Sequence, residues 1–245
     1  MSTSLYLMHL RPQLNRLLPW AHRHGLVAGN GQGDLGYAFH AALKAVFADL
    51  APQPFSYRQD QGLLAYSAHG EALKSAAAMA TPEVAEMLGL EASSQSSGLL
   101  IRPFPQAWKP EQLLSFELRV RPIVRTKDGR ERDVYLSAIE RKPDAGLSRQ
   151  AVYTDWLKWQ FSDVADLHEV QMTEFQLSAV VRRSAPSTDG KRAKQPVLGP
   201  NAVLTGVLQV RDSEAFATLV SRGVGRHRAF GFGMLLLKPA APAWD

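Results

Sequence analysis

The predicted order strand, helix, strand, strand, helix, strand occurs twice along this chain, and the repeat constrains the fold more than any other feature. In the first half, Ser4 to Leu10 is a strand-like run ended by Pro12. Leu35, Phe39, Ala42, Leu43, Val46, Phe47 and Leu50 recur at helical spacing, which predicts a helix over 35–49 capped by Asp34. "FSYRQDQGLLAYSA" predicts a hairpin, with Phe55–Arg58 and Leu63–Ser67 as strands about Gln61-Gly62. The alanine-rich "GEALKSAAAMA" reads as a short helix and "GLLIRPFP" as the closing strand. Between the first strand and helix, Pro19, Gly25, Gly29, Gly31 and Gly33 predict a long loop with at most a short turn of helix.

The second half repeats the order. "LLSFELRVRPIVRT" reads as one long strand and "LSRQAVYTDWLKWQF" as a helix with Val152, Trp156 and Trp159 on one side. "EVQMTEFQLSAVVRR" and "AVLTGVLQVRD" are strands, "SEAFATLVSRG" is a helix capped by Ser213, and "GFGMLLLKP" is the last strand. Two insertions interrupt this half: "TKDGRERD", a basic turn, and "SAPSTDGKRAKQPVLGP", which lacks aromatic residues and reads as a mobile hairpin or loop. The expected fold is α+β: two tandem ferredoxin-like (RRM-like, βαββαβ) domains, at residues 1–106 and 111–245.

With 245 residues, 45% of them hydrophobic, the chain can bury a core in each half. There are no cysteines, which excludes disulfides, thiolate metal sites and a thiol nucleophile. No segment approaches ~20 continuous apolar residues, so a cytoplasmic protein without a membrane partner is expected. The net charge of +5 favours a polyanionic partner, nucleic acid foremost. No GxxxxGK[ST], HExxH or GxSxG motif occurs, and "GLVAGNGQG" follows a predicted loop rather than the strand a dinucleotide fingerprint requires. Neither a metal nor a cofactor is implied.

Chemistry concentrates in two places. Tyr37, His40 and Lys44 share a face of the first helix, expected to look outward because Phe39, Leu43, Val46 and Phe47 form the buried stripe. Histidine titrates near neutrality, tyrosine orients a hydroxyl, and lysine neutralises phosphate charge. An ordinary polar helix face is the alternative for this triplet. His22, Arg23 and His24, just upstream, are a second candidate group for the same site. The cations concentrate in the second half: Arg119, Arg121, Arg125, Lys127, Arg130 and Arg132, then Arg182, Lys191, Arg192 and Lys194, then Arg226, His227 and Arg228. Such clustering is the footprint of an RNA-binding surface. The last three are expected to project from a glycine-rich loop in which Gly223 caps a helix and Gly231 and Gly233 lead into a buried strand.

Taken together, the two βαββαβ units, the YxxH of the first helix and the C-terminal "LTGVLQVRDSEAFATLVSRGVGRHRAFGFGMLLL" resemble the CasE-type CRISPR repeat endoribonucleases. "FELRVRPIVRTKDGRERDVYL" is similar to that family's strand followed by a basic turn, and "STDGKRAK" to its basic insertion. The resemblance implies metal-independent cleavage of a CRISPR precursor at the base of a repeat hairpin. In that reaction the 2′-hydroxyl attacks the neighbouring phosphate and leaves a 2′,3′-cyclic phosphate. It implies His40 as the catalytic histidine, Tyr37 as its tyrosine and Lys44 as a looser match to a nearby lysine. Arg23 is a reserve candidate, since some relatives rely on arginines. Lys191, Arg192 or Lys194 would grip the hairpin. The implied partners are the CRISPR repeat RNA hairpin, the mature crRNA and other subunits of a Cascade-like effector complex. The alternative readings are a non-cleaving crRNA-binding scaffold subunit of such a complex and a ferredoxin-like enzyme acting on a small anionic metabolite.

Overall fold

The computed structural model describes residues 4–26, 35–93, 96–143, 145–183 and 194–240, without the side chains of 96, 181–183 and 194–196. The chain divides into two compact units. The first comprises Met1–Phe104, Ser178–Leu198 and Ala229–Gly231; the second comprises Pro105–Leu177, Gly199–Arg228 and Phe232–Asp245.

The first half runs β1 (Tyr6–Leu10), α1 (Leu14–Arg23), α2 (Gly36–Phe47), β2 (Phe55–Arg58), β3 (Gly62–Ser67), α3 (Gly70–Ala78), α4 (Pro82–Leu88), β4 (Ala92–Ser93), β5 (Ser96–Ser97) and β6 (Leu100–Pro103). Its main sheet has the order β2-β3-β1-β6, with Met8 of β1 opposite Ala65 of β3 on one side and Ile101 of β6 on the other. This is the ferredoxin-like order, in which the second and third strands form a hairpin and the first and fourth pair beside it. Met8, Leu10, Leu63 and Ala65 point to one face and meet Phe39, Leu43 and Phe47 of α2.

The second half runs β7 (Leu113–Val120), β8 (Ile123–Arg125), β9 (Glu131–Asp133), α5 (Val134–Arg141), α6 (Arg149–Phe161), β10 (Ala165–Arg183), β11 (Lys194–Val210), α7 (Ser213–Arg222) and β12 (Leu235–Pro239). Its sheet order, β10-β11-β7-β12, repeats that of the first. Leu114, Phe116, Leu118 and Val120 alternate inward along β7, the period-two pattern of a half-buried strand. The α+β fold of two tandem ferredoxin-like domains is therefore the observed one.

Several local expectations are corrected. The first part of the long loop expected after β1 is helix α1, because Leu17, Trp20 and Ala21 bury on one face despite Pro19; residues 27–34 lie outside the described residues. An interior proline costs a helix about 3 kcal/mol, and burial of the apolar face, the indole included, offsets it. Helix α4 was not expected, although Pro82 in its first turn and the left-handed Gly89 after it (φ 65°) are its signature. The predicted long strand breaks at Arg121-Pro122 into β7 and β8, and "TKDGRERD" is the β8–β9 hairpin leading to α5. Helix α7 is capped by Asp212, whose carboxylate accepts from the Glu214 and Ala215 amides, rather than by Ser213. Helix α6 buries Tyr153, Leu157 and Phe161, and Trp159 is left 72% exposed. Asp34 lies outside the described residues.

Candidate nucleic-acid interface and active site

Helix α2 presents its polar groups in graded fashion. Tyr37 is buried at 8% exposure, His40 is half-buried, and Lys44 is exposed with Nζ 3.2 Å from Asp49 Oδ1. The expectation that all three look outward is thus corrected for Tyr37, which belongs to the apolar cluster with Phe39 and Leu43. Phe230, which clusters with the first unit, meets both rings. Its centroid lies 5.8 Å from that of Tyr37 and 5.2 Å from that of His40, edge-on to the imidazole. Burial, and secondarily the charge of Lys44 one turn on, hold His40 below the ordinary histidine value of 6.5. At neutral pH its imidazole is uncharged and can accept a proton.

Arg23, at the end of α1, forms an exposed pair with Glu83 of α4. His24 is fixed on its own helix, with Nδ1 2.8 Å from the Trp20 carbonyl and its ring 4.6 Å from that indole. His22 is exposed. His24 thus has a structural occupation of its own, whereas Arg23 is held only by an exposed pair.

The glycine-rich loop of the second unit is organised around Glu131 of β9. Arg226 Nε donates to Glu131 Oε1 at 3.1 Å, and His227 Nε2 lies 2.7 Å from Oε2. A carboxylate only accepts, so His227 Nε2 carries the hydrogen. The His227 side chain is 9% exposed, and burial outweighs the opposing pull of Glu131 to lower its pKa. The expectation that three loop cations project outward is therefore corrected for His227, which turns inward to hold the loop. Arg228 donates to the Arg222 carbonyl at 2.8 Å, which ties the loop to the end of α7. Gly223 follows α7 with φ 79° and ψ 166°, a backbone region open to glycine rather than the left-handed helix cap. Gly233 joins the loop to the sheet: its amide donates to the Arg119 carbonyl at 2.7 Å, and its carbonyl accepts from Val224 at 2.8 Å. Its φ is 78°, and a Cβ there would lie 2.3 Å from the Val224 carbonyl oxygen. Gly233→Ala is expected to lower stability by at least about 1–3 kcal/mol, measured by urea denaturation; an unchanged midpoint would refute the close approach.

The other cations divide by burial. Arg119 donates through Nε to Asn201 at 3.0 Å and lies 4.6 Å over the Phe232 ring. Arg121 is only 2% exposed, 5.6 Å from the same ring, and a Cβ at Gly199 would come 2.2 Å from its Nη2. Such a guanidinium is a core group, so Arg121 leaves the set of surface cations. Arg125, Lys127 and Arg130 are exposed on the β8–β9 hairpin, Arg130 paired with Asp128 at 3.2 Å and Arg125 donating to the Gly129 carbonyl at 3.3 Å. Arg132 pairs with Glu140. The side chains of Arg182 and Lys194 lie outside the described residues, as do Lys191 and Arg192 altogether.

Two features of the second unit were not anticipated. Asp133 caps α5 by accepting from the Tyr135 amide at 2.8 Å, accepts Arg149 Nη1 at 2.6 Å and accepts the Tyr153 hydroxyl at 3.0 Å. The Arg149 guanidinium lies 4.2 Å over the Tyr135 ring and 4.3 Å over that of Phe175. Trp156 and Trp159 of α6, with Arg125 and Arg226, line an open groove of about 580 Å³. No acidic or histidine pattern in the sequence signals either feature, since each joins residues distant along the chain.

Among the described residues no group of three or more His, Asp or Glu side chains is placed to hold a metal ion, and no helix is long and apolar enough to cross a membrane. No curated protein matches the chain. It is similar in fold to the CRISPR endoribonuclease Cse3 bound to a 19-nucleotide RNA, at 18% identity and TM-score 0.62, covering 98% of this chain and 100% of that one. A Thermus thermophilus Cse3 bound to an RNA representing a pre-cleavage complex matches at 18% identity and TM-score 0.58, covering 96% and 100%. The CRISPR-associated protein Cas6e from Escherichia coli K-12 matches at 16% identity and TM-score 0.51, covering 97% and 100%. The sequence profile of the CRISPR associated protein family matches residues 5–239, nearly the whole chain. The chain therefore belongs to the CRISPR associated protein family, with the fold of the CasE-type proteins that its motifs resemble.

Proposed function

We propose that this protein is a CRISPR RNA-processing endoribonuclease that binds a repeat hairpin and cleaves it without a metal ion. The observation that carries the reading is the half-buried His40, held uncharged on α2 with Lys44 one turn away. RNA supplies its own nucleophile, so the protein needs to orient the chain, move protons and offset charge. Neutral His40 accepts the proton of the 2′-hydroxyl as that oxygen bonds to phosphorus. The bond from phosphorus to the 5′-oxygen breaks, the departing oxygen takes up a proton from water, and a 2′,3′-cyclic phosphate remains. Lys44 offsets the charge gathering on the phosphoryl oxygens. Its pair with Asp49 is exposed, and such pairs are worth at most about 1 kcal/mol, so a phosphate can displace the carboxylate. Tyr37, pressed between the core and Phe230, acts through position. The exposed cations Arg125, Lys127 and Arg130, with Arg226 and Arg228, supply the grip on phosphate.

Likeness to chains in RNA-bound and RNA-guided surveillance structures supports the repeat RNA, its mature crRNA and other subunits of a Cascade-like complex as partners. The test is incubation of hairpin repeat RNA with the protein in EDTA. A single cut ending in a cyclic phosphate is expected; intact RNA held tightly would identify a crRNA-holding subunit instead.

The environment of His40 sets a pH dependence. Its folded-state pKa lies below 6.5, so the acidic limb of the cleavage profile is expected below that pH. Lys44→Ala removes the secondary cause of the shift and is expected to move the limb upward, read as the midpoint of single-turnover rate against pH. The same sign applies to stability. The unfolded chain takes up this proton first as pH falls through 6.5, so His40 lowers stability progressively on the acid side.

A further inference from the structure

We infer that the groove on α6 is a stacking site for an unpaired nucleotide, adjoining the surface that grips the hairpin stem and sharing Arg125 and Arg226 with it. Helix α6 turns Tyr153, Leu157 and Phe161 into the core, and Trp156 and Trp159, three residues apart, line the groove beside them. Leaving an indole 72% exposed forgoes the burial that a large aromatic ring normally gains. Beside Trp159, Trp156 is half-buried and packed against Gly225 of the glycine-rich loop. Gly225 has φ 72°, and a Cβ there would lie 3.2 Å from the Trp156 indole, so glycine lets the loop close on the ring. Ile123 and Val124 complete an apolar lining, and the half-buried Gln160 brings a carboxamide that can both donate and accept.

The charge of the groove selects its occupant. Arg125 and Arg226 stand among its lining residues, and no carboxylate does. Arg226 is held to Glu131 through Nε and its side chain is still 45% exposed, so it is positioned in advance. An apolar peptide anchor would fill the indole surface and leave the exposed Arg125 guanidinium and the open edge of Arg226 without an anion. A nucleotide matches both halves: its base stacks on indole or guanidinium, and its phosphate meets arginine. The groove volume, about 580 Å³, is ample for a base with its sugar and phosphate. This inference rests on the RNA-binding reading above and adds to it a contact with single-stranded rather than paired RNA.

The test uses the full-length protein with two probes, a hexauridylate and a hairpin RNA without single-stranded flanks. Hexauridylate is expected to quench tryptophan fluorescence. Trp159→Ala is expected to weaken its binding about fivefold to a hundredfold, while Trp159→Phe, which keeps a stacking face, retains most of it. Hairpin affinity is expected to stay unchanged in both variants, because Trp159 is exposed and no stem contact is assigned to it. Equal hexauridylate affinity in the native protein and Trp159→Ala overturns the inference, as does hairpin binding with no hexauridylate binding at all; in both cases the RNA-processing reading stands. Loss of assembly with other complex subunits in Trp159→Ala, with RNA binding intact, overturns it in favour of a protein-docking groove. Binding of neither RNA defeats the RNA-processing reading itself.

Discussion

His40→Ala is expected to slow hairpin cleavage by about 10²–10⁴-fold, the usual cost of removing a positioned acid or base, while hairpin affinity survives. The separation follows from where the side chain sits. Helix α2 is held by Phe39, Leu43 and Phe47, each 1% exposed, and His40 is half-buried beside that stripe. Its removal takes away an imidazole and an edge contact with Phe230, and leaves the packing of the helix on the sheet. Single-turnover cleavage with enzyme in excess, alongside equilibrium binding of a hairpin that lacks the attacking 2′-hydroxyl, separates the two effects. Equal cleavage rates would remove His40 from the chemistry; a parallel loss of binding would make it a grip. Tyr37 needs the gentler Tyr37→Phe, because Tyr37→Ala would open a cavity in the core cluster and be read as misfolding.

Asp133→Ala is expected to lower stability by about 3–5 kcal/mol, the cost of breaking a buried ion pair from one side. The aspartate side chain is 6% exposed and serves Arg149, the Tyr153 hydroxyl and the first turn of α5 at once. Burial raises the Tyr153 pKa, so its hydroxyl stays protonated and donates to the carboxylate. Without the carboxylate, Arg149 is stranded between the Tyr135 and Phe175 rings. A fall in melting temperature on the order of 10 °C is expected by scanning calorimetry. Arg23→Ala is the contrast: its pair with Glu83 leaves both side chains about 60% exposed, and its loss should cost at most about 1 kcal/mol. A second substitution, Arg149→Met, should restore part of what Asp133→Ala removes, since the stranded charge leaves with it. Failure of that rescue would show that the cap on α5, rather than the ion pair, carries the effect.

The repeated βαββαβ order, the β2–β3 hairpin and the span of α2 were legible along the chain because they rest on local periodicity and a short turn. Leu114, Phe116, Leu118 and Val120 alternate, and Phe39, Leu43 and Phe47 recur on one side of a helix. Where the reading failed, tertiary burial overrode a local signal. Pro19 with the downstream glycines suggested a loop, and the burial of Leu17, Trp20 and Ala21 made it α1. The sequence placed Val152, Trp156 and Trp159 on one side of α6 without saying which side is buried, and the core took Tyr153, Leu157 and Phe161.

The candidate site divides in the same way. His40, Tyr37 and Lys44 were legible as a group because helical spacing alone sets them on neighbouring turns, and the cations of the second half were legible by number. Their states were not, because burial and pairing depend on residues far away in the chain. Phe230 covers Tyr37 and His40 from a loop near the other end. Glu131, which reads as a minor acid in a basic turn, is the anchor of Arg226 and His227 some 95 positions on. Local spacing determined which groups this protein carries and the fold that carries them. Only tertiary packing decided that Arg121 and His227 turn inward, that burial holds His40 below its ordinary value and that Trp159 is left open, since desolvation and long-range pairing have no counterpart in local sequence.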